Sequence, residues 1–231
     1  VARTSVVSAR ASTIRSLLFC ASEAIACVNA AGGRLELDVD KLDAELKAAE
    51  ESGEEIVIFG FTFILYAHVL ETLSAASKSY NLPGSKILHI GGWKKLEAEK
   101  VTPEKLKESC ARIFGVTKLD IIDFYGFTEQ SGLIYPTCEE GVRHVPAWGE
   151  VLVRDPLTLE ALPPNSEGHL QFLTPIQTSY PGHSVLTEDR GMIVSRDGCS
   201  CGRNGTTFKM TGRAPEAEVR GCGDILAAQF A

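Results

Sequence analysis

Residues 123–129 read Asp-Phe-Tyr-Gly-Phe-Thr-Glu and follow the apolar run Leu119, Ile121, Ile122. The chain thus leaves a buried strand through an aromatic ring, a glycine, a hydroxyl and a carboxylate. Those types in that order suit a nucleotide. Tyr125 can stack on a flat base and Gly126 lets the backbone approach, while Thr128 and Glu129 supply oxygens for phosphate or magnesium, an ion that takes one or two carboxylates plus nucleotide oxygens. The plainer reading is a strand-to-helix turn with a solvated Glu129. Further along, Asp189 in Leu-Thr-Glu-Asp-Arg-Gly (186–191) is expected at a turn between strands. There its carboxylate would accept hydrogen bonds from two vicinal ribose hydroxyls, or simply face solvent. Lys209, Arg213 and Arg220 lie near glycines in residues 208–224, and guanidinium groups suit phosphate or carboxylate recognition.

Two sets of cysteines raise other chemistry. Cys138 and His144 form a C-x5-H pair, followed far downstream by Cys199-x-Cys201. Thiolate and imidazole suit tetrahedral zinc, although this spacing is a poorer signal than two C-x-x-C knuckles. Such a site would be closed and structural, clamping the hairpin after Tyr-Gly-Phe-Thr-Glu to the tip of a β subdomain. Cys222 stands between Gly221 and Gly223, with little bulk around its sulfur. A thiol of ordinary pKa, about 8.5, is a few per cent thiolate near neutrality and still the best nucleophile on offer. An idle or buried cysteine is the alternative. His68, His89, His169 and His183 are scattered and read as structural; no Ser/His/Asp set can be assembled by spacing. Trp93, beside Gly92, fits a pocket wall and a packed core indole equally well.

The elements that must hold these residues read as follows. Ile14, Leu17, Leu18, Ala21, Ala24, Ile25 and Val28 recur at helical spacing, predicting an amphipathic helix. A glycine turn and a short strand follow, then a helix capped by Asp40 with Leu42, Leu46 and Ala49 inward and Gly53 as its stop. Residues 54–61 form a continuous apolar run suited to a strand covered on both faces, and 63–80 have the length and pattern of a helix. A second strand ends at Gly91-Gly92. Thr102 caps a helix with Pro103 in its first turn and Leu106, Cys110, Ile113 and Phe114 on one face. The third strand runs into Tyr125. This alternation implies a parallel α/β sheet with right-handed crossovers, and ligands of such sheets bind beyond the carboxyl ends of the strands. After residue 140 short alternating runs separated by Pro, Gly and Asn predict antiparallel strands. The expected organisation is an α/β nucleotide-binding subdomain over 1–141 and a small antiparallel, barrel-like subdomain over 142–231.

Composition narrows the function classes. The 231 residues are 44% apolar and 23% charged, enough for a real core. A net charge of -7 without a basic run argues against nucleic-acid binding. The most apolar stretch, 56–70, is shorter than the ~20 residues of a membrane span. An odd seven cysteines without a convincing secretory signal fit a reducing compartment, and a cytoplasmic location is expected. The chain opens on Val1, not on a methionine, and is expected to come from something longer.

In this order and spacing the motifs resemble the adenylate-forming superfamily, whose members activate a carboxylic acid with ATP and pass the acyl group to a thiol. "FGFTFILY", "HIGGWKKL", "DFYGFTEQSGLIY", "SYPGHSVLTEDRG", "DGCSCGRNGTTFKMTGR" and "AEVRGCGD" are similar to the LuxE-type acyl-protein synthetases of bacterial fatty-acid reductase systems. The resemblance covers the chain from about residue 55 onward. Phenylacetate-coenzyme A ligases share "YGxTE", "CGR" and "GR…RG". The resemblance implies a fatty acid substrate, ATP with Mg²⁺, an acyl reductase as partner, and structural zinc at the Cys/His set. It implies that Gly91 and Gly92 border the adenine and that Tyr125 stacks on it. Thr128 would meet phosphate, Glu129 magnesium, Asp189 the ribose and Arg213 the nucleotide, while Cys222 would hold the acyl group as a thioester. Two departures stand out: no Ser/Thr/Gly-rich phosphate loop in residues 1–30, and no carboxy-terminal lid domain with its lysine, although by the resemblance acyl-protein synthetases themselves end soon after "GCGD". A fragment or truncated ligase, weak in adenylation, is expected; an acyl- or aryl-coenzyme A ligase and a silent zinc-stabilised binding module are the alternatives.

Overall fold

The computed structural model describes residues 2–6, 21–31, 34–93, 100–130 and 132–214, which divide into two compact units after Asp123. The first unit begins with β1 (Ala2–Val6) and β2 (Ala21–Ala26), which pair in parallel, followed by an antiparallel hairpin of β3 (Val28–Ala31) and β4 (Arg34–Leu37). The helix expected over 14–28 is therefore corrected over its described part: 21–26 and 28 lie in strands, with Cys27 between them. Ala21, Ala24 and Ala26 are small enough to satisfy either period, so strand pairing with β1 decides the outcome. Residues 7–20 lie outside the described residues.

Helix α1 (Val39–Ser52) buries Leu42, Leu46 and Ala49 as their spacing predicts, and Gly53 closes it in the left-handed conformation at φ 67°. Its cap is Asp38, whose carboxylate accepts from the Lys41 N–H at 3.0 Å, not Asp40, which falls in the first turn. Strand β5 (Ile56–Phe61) leads into α2, 62–75, whose middle, Leu65–Leu70, is π-helical. The pattern predicts a helix to residue 80. Instead Ser77 takes φ 54° and the Lys78 N–H closes onto the Leu73 carbonyl at 2.9 Å, ending the helix early. Trp93 is buried and packs edge-on against Tyr66, 5.5 Å between centroids, so it belongs to the core.

Strand β6 (Lys86–Ile90) pairs in parallel with β5. Helix α3 (Pro103–Phe114) starts where the sequence places it: Thr102 Oγ1 accepts from the Lys105 N–H, and Leu106, Cys110, Ile113 and Phe114 are buried. With β7 (Ile121–Tyr125) the strand order is β2-β1-β5-β6-β7.

In the second unit β8 (Tyr135–Pro136) pairs antiparallel with Phe124 and Tyr125. An antiparallel sheet then forms from β9 (Arg143–His144), β10 (Glu150–Arg154), β11 (Gly168–Leu173), β12 (Ser184–Ser195) and β13 (Thr207–Arg213), in the order β10-β11-β12-β13-β9. Among the described residues this sheet is open, with β10 and β9 at its edges, and does not close into the expected barrel. Its core is Leu133, Tyr135, Val151, Leu170, Phe172, Ile193 and Phe208. Among the described residues no helix is long and apolar enough to cross a membrane.

Candidate functional site

Asp189 lies inside the twelve-residue strand β12, not at a turn. The polar Thr-Glu-Asp-Arg-Gly run reads as a turn, but the pairing of β12 with β13 merely shifts register between Arg190 and Gly191 and then continues. Such an irregularity bends a strand and re-aims its side chains. Asp189 faces Arg213 directly across the ladder, with its Oδ1 3.3 Å from Arg213 Nε. Its other oxygen, Oδ2, accepts a 2.6 Å hydrogen bond from the Tyr125 hydroxyl. One carboxylate is therefore held on both oxygens. Arg213 also pairs with Glu188 at 2.8 Å.

Burial, and then the Asp189 carboxylate, push the Tyr125 phenol well above its ordinary range, so it remains a neutral donor. Its ring belongs to an aromatic cluster, 5.5 Å from Phe172 and 5.6 Å from Phe127. Gly126 and Phe127 carry the chain onward to a 3-10 turn, Thr128–Gln130, on which Thr128 and Glu129 are exposed.

Gln130, which nothing in the sequence singles out, anchors that turn. It is fully buried, and its amide N–H groups donate to the Phe172 and Gly182 carbonyls at 3.1 and 3.0 Å while its oxygen accepts from the Tyr135 hydroxyl at 3.1 Å. Gly182 is pressed close here, since a Cβ on it would lie 2.7 Å from the Glu129 carbonyl oxygen. Three groups outside Gln130 depend on it. Gln130→Leu is expected to cost roughly 2–4 kcal/mol, because it removes three buried hydrogen bonds at once; urea unfolding of the variant checks this.

The second constellation is also assembled by the fold. Cys138 sits in the loop between β8 and β9, His144 in β9, and Cys199 and Cys201 in the loop between β12 and β13. Their ligand atoms all lie within 4.8 Å of one another. Cys138 Sγ is 4.0 Å from Cys199 Sγ, and Cys201 Sγ is 3.3 Å from His144 Nε2. Tetrahedral zinc with bonds of about 2.0–2.3 Å holds its ligand atoms roughly 3.3–3.8 Å apart. Burial, then the nearby Arg203 cation, lower the His144 pKa, favouring the neutral ring a metal needs. Burial pushes the Cys201 thiol up, but hydrogen bonds from the Arg203 backbone and its thiol neighbour prevail and hold it below the usual thiol range. Arg203 is itself fixed by Glu139 at 2.6 Å.

The remaining predicted site residues fall elsewhere. Gly91 and Gly92 follow β6 in the first unit, and Cys222 lies outside the described residues. His183 contributes its carbonyl to the Thr174 N–H at 2.9 Å.

The long-chain-fatty-acid–luciferin-component ligase of Vibrio harveyi is 24% identical over 198 residues, covering 84% of this chain and 50% of the relative. Its counterpart in Aliivibrio fischeri is 26% identical over 168 residues, covering 68% of this chain and 43% of the relative. The chain thus spans about half the length of the curated relatives it matches. Among solved structures, an open conformation of 2-hydroxyisobutyryl-CoA ligase, in complex with 2-HIB-AMP and CoA, superposes with a TM-score of 0.66 at 14% identity. That likeness covers 93% of this chain and 49% of the ligase, and it shows the fold. The model of the acyl-protein synthetase family, LuxE, matches residues 4–231. Matched along nearly its whole length, the chain belongs to the LuxE acyl-protein synthetase family.

Proposed function

We propose that this chain is the acid-activating part of an ATP-dependent long-chain fatty acid:protein ligase. A carboxylate oxygen of the fatty acid attacks the α-phosphorus of ATP, and pyrophosphate leaves as the acyl-adenylate forms. The Cys222 sulfur then attacks the acyl carbonyl, gives up its proton to solvent, and AMP departs. The thioester is the form handed to an acyl reductase. All of this runs in the reducing cytoplasm, which keeps the thiols available.

The observation that carries this reading is the Asp189 carboxylate, gripped by the Tyr125 hydroxyl at 2.6 Å and the Arg213 guanidinium at 3.3 Å in a chain of this family. A carboxylate so aimed accepts the two ribose hydroxyls. Within the second unit Tyr125 is the stacking surface for the base and Arg213 meets phosphate charge; within the first, Gly91 and Gly92 serve as adenine-bordering glycines. Thr128 and Glu129 are exposed, hard-oxygen donors on one turn, and they fit Mg²⁺. When bound, the ion offsets charge on the departing pyrophosphate. Cys138, His144, Cys199 and Cys201 hold a structural zinc ion.

Incubation of the protein with carboxyl-labelled palmitate and MgATP tests this. Label is expected on the polypeptide, dependent on MgATP and absent from Cys222→Ser. Label that passes instead to added coenzyme A, untouched by Cys222→Ser, would make the protein a coenzyme A ligase. Failure to bind MgATP at all would leave a zinc-stabilised binding module and end the ligase reading.

A further inference from the structure

Three polar side chains from three different elements meet in the first unit. Thr62 opens α2 directly after β5, His89 lies in β6 and Asp123 in β7. Their separations in sequence, 27 residues between Thr62 and His89 among them, form no motif. Thr62 and His89 are each only 6% exposed. Thr62 Oγ1 and His89 Nδ1 are 2.9 Å apart, and Asp123 Oδ1 is 3.9 Å from the same nitrogen. Thr62 and His89 thus share one buried hydrogen bond, and the Asp123 carboxylate stands close to the same ring nitrogen.

A buried imidazole in an apolar sheet costs stability unless it is bonded, and an aliphatic side chain would fill the place more cheaply. What distinguishes the position is its place on the strand. His89 pairs with Gly60, and Ile90 with Phe61, at the carboxyl end of the sheet, where such folds bind ligands. Two residues after His89 the strand turns away through Gly91 at φ +86°, and a Cβ there would sit 3.4 Å from the Phe61 ring. The Gly91–Gly92 turn therefore rests on the same strand ends that Thr62, His89 and Asp123 tie together.

We propose that Thr62, His89 and Asp123 form a positioning link that lashes the carboxyl ends of β5, β6 and β7 together and holds the Gly91–Gly92 turn in its nucleotide-receiving form. This rests on the reading of Gly91 and Gly92 as adenine-bordering residues. None of the three is a catalytic residue; each acts through the turn. The link governs affinity for MgATP and leaves the chemical step to the other residues.

Calorimetric titration of MgATP, with KM and kcat from ATP–pyrophosphate exchange and thermal melting in parallel, tests it in wild type, His89→Leu, His89→Asn and Thr62→Val. Asparagine places a hydrogen-bonding amide where Nδ1 stood, whereas leucine keeps bulk alone. His89→Leu and Thr62→Val are expected to weaken MgATP binding and raise its KM about tenfold with kcat within about twofold, and His89→Asn to restore affinity to within about threefold. If His89→Leu does not fold, the nearly isosteric Thr62→Val carries the comparison. Unchanged affinity in Thr62→Val and His89→Leu, or failure of His89→Asn to rescue, overturns the link. A wild type without affinity for MgATP overturns the ligase reading and the link with it; a wild type that binds, with variants that bind equally well, overturns the link alone.

Discussion

Protein purified without chelator is expected to contain one equivalent of zinc, and stripping it should lower the thermal midpoint of the second unit by on the order of ten degrees or more. The reason lies in what else holds the loops concerned. The segment between β12 and β13 is pinned by Asp197, whose Oδ1 accepts from the Gly198 and Gly205 N–H groups at 3.0 Å each, and by little apolar packing. The Cys138 loop closes on itself through Cys138 N–H to the Val142 carbonyl at 2.9 Å. Four ligand atoms within 4.8 Å are a favourable arrangement around a dication and an unfavourable one without it, because neighbouring thiolates repel. Removing a structural ion thus removes folding free energy. A loss of about 3 kcal/mol corresponds to roughly 10–20 °C for a unit near 100 residues. The Cys138 and Cys199 sulfurs, 4.0 Å apart, are far beyond the ~2.05 Å of a disulfide, so oxidation does not account for their approach. Cys199→Ser should lose both zinc and stability. Cys110→Ser should keep zinc, since that thiol is buried in the first unit and burial pushes its pKa up to about 12. Elemental analysis decides the matter, and absence of zinc from unchelated protein removes the metal centre.

What could be read from the sequence was whatever is fixed locally. Helix α3 was legible to the residue because Thr102, Pro103 and the Leu106, Cys110, Ile113, Phe114 face act within one element. The Cys/His set was legible because metal-binding residue types are few. Elements decided by a partner strand were not: residues 21–26 carry a helical period but lie in the sheet beside β1. The same holds for Asp189, placed in a turn on composition and found mid-strand, where pairing with β13 sets its direction. Gln130 was not singled out, and His89 was read only as structural, for a related reason. Each is a buried polar residue whose partners come from other elements, 42 and 52 residues away for the Gln130 donors, and no spacing rule reaches that far. The helix over 62–75 was found, but its π-helical middle leaves no trace in an apolar run that is buried on most sides.

Asp189→Asn is expected to lower MgATP affinity and adenylation kcat/KM by on the order of a hundredfold while leaving the protein folded. Asp189 accepts from Tyr125 through Oδ2 and faces Arg213 through Oδ1. Asparagine keeps one acceptor oxygen for the Tyr125 hydroxyl, but its NH₂ then points at the guanidinium, donor against donor. Arg213 does not lose its only partner, because Glu188 still holds it at 2.8 Å. The guanidinium end of the pair is well solvated, with an Arg213 side-chain exposure of 45%, so the lost ion pair costs about 1 kcal/mol. A bound ribose, in contrast, loses the charged acceptor its vicinal hydroxyls need, and charge-assisted hydrogen bonds are about twice as strong as neutral ones. Tyr125→Phe separates orientation from acceptance: it frees Asp189 Oδ2 while keeping the ring, and its effect should be tenfold or less. Because burial and the adjacent carboxylate hold the Tyr125 phenol protonated far above neutrality, the pH profile of nucleotide binding should show no alkaline limb from this residue. Titration with a fluorescent ATP analogue alongside melting curves measures both effects. Equal affinity in Asp189→Asn and wild type would show that this carboxylate, however well held, serves the packing of β12 on β13 and not the nucleotide.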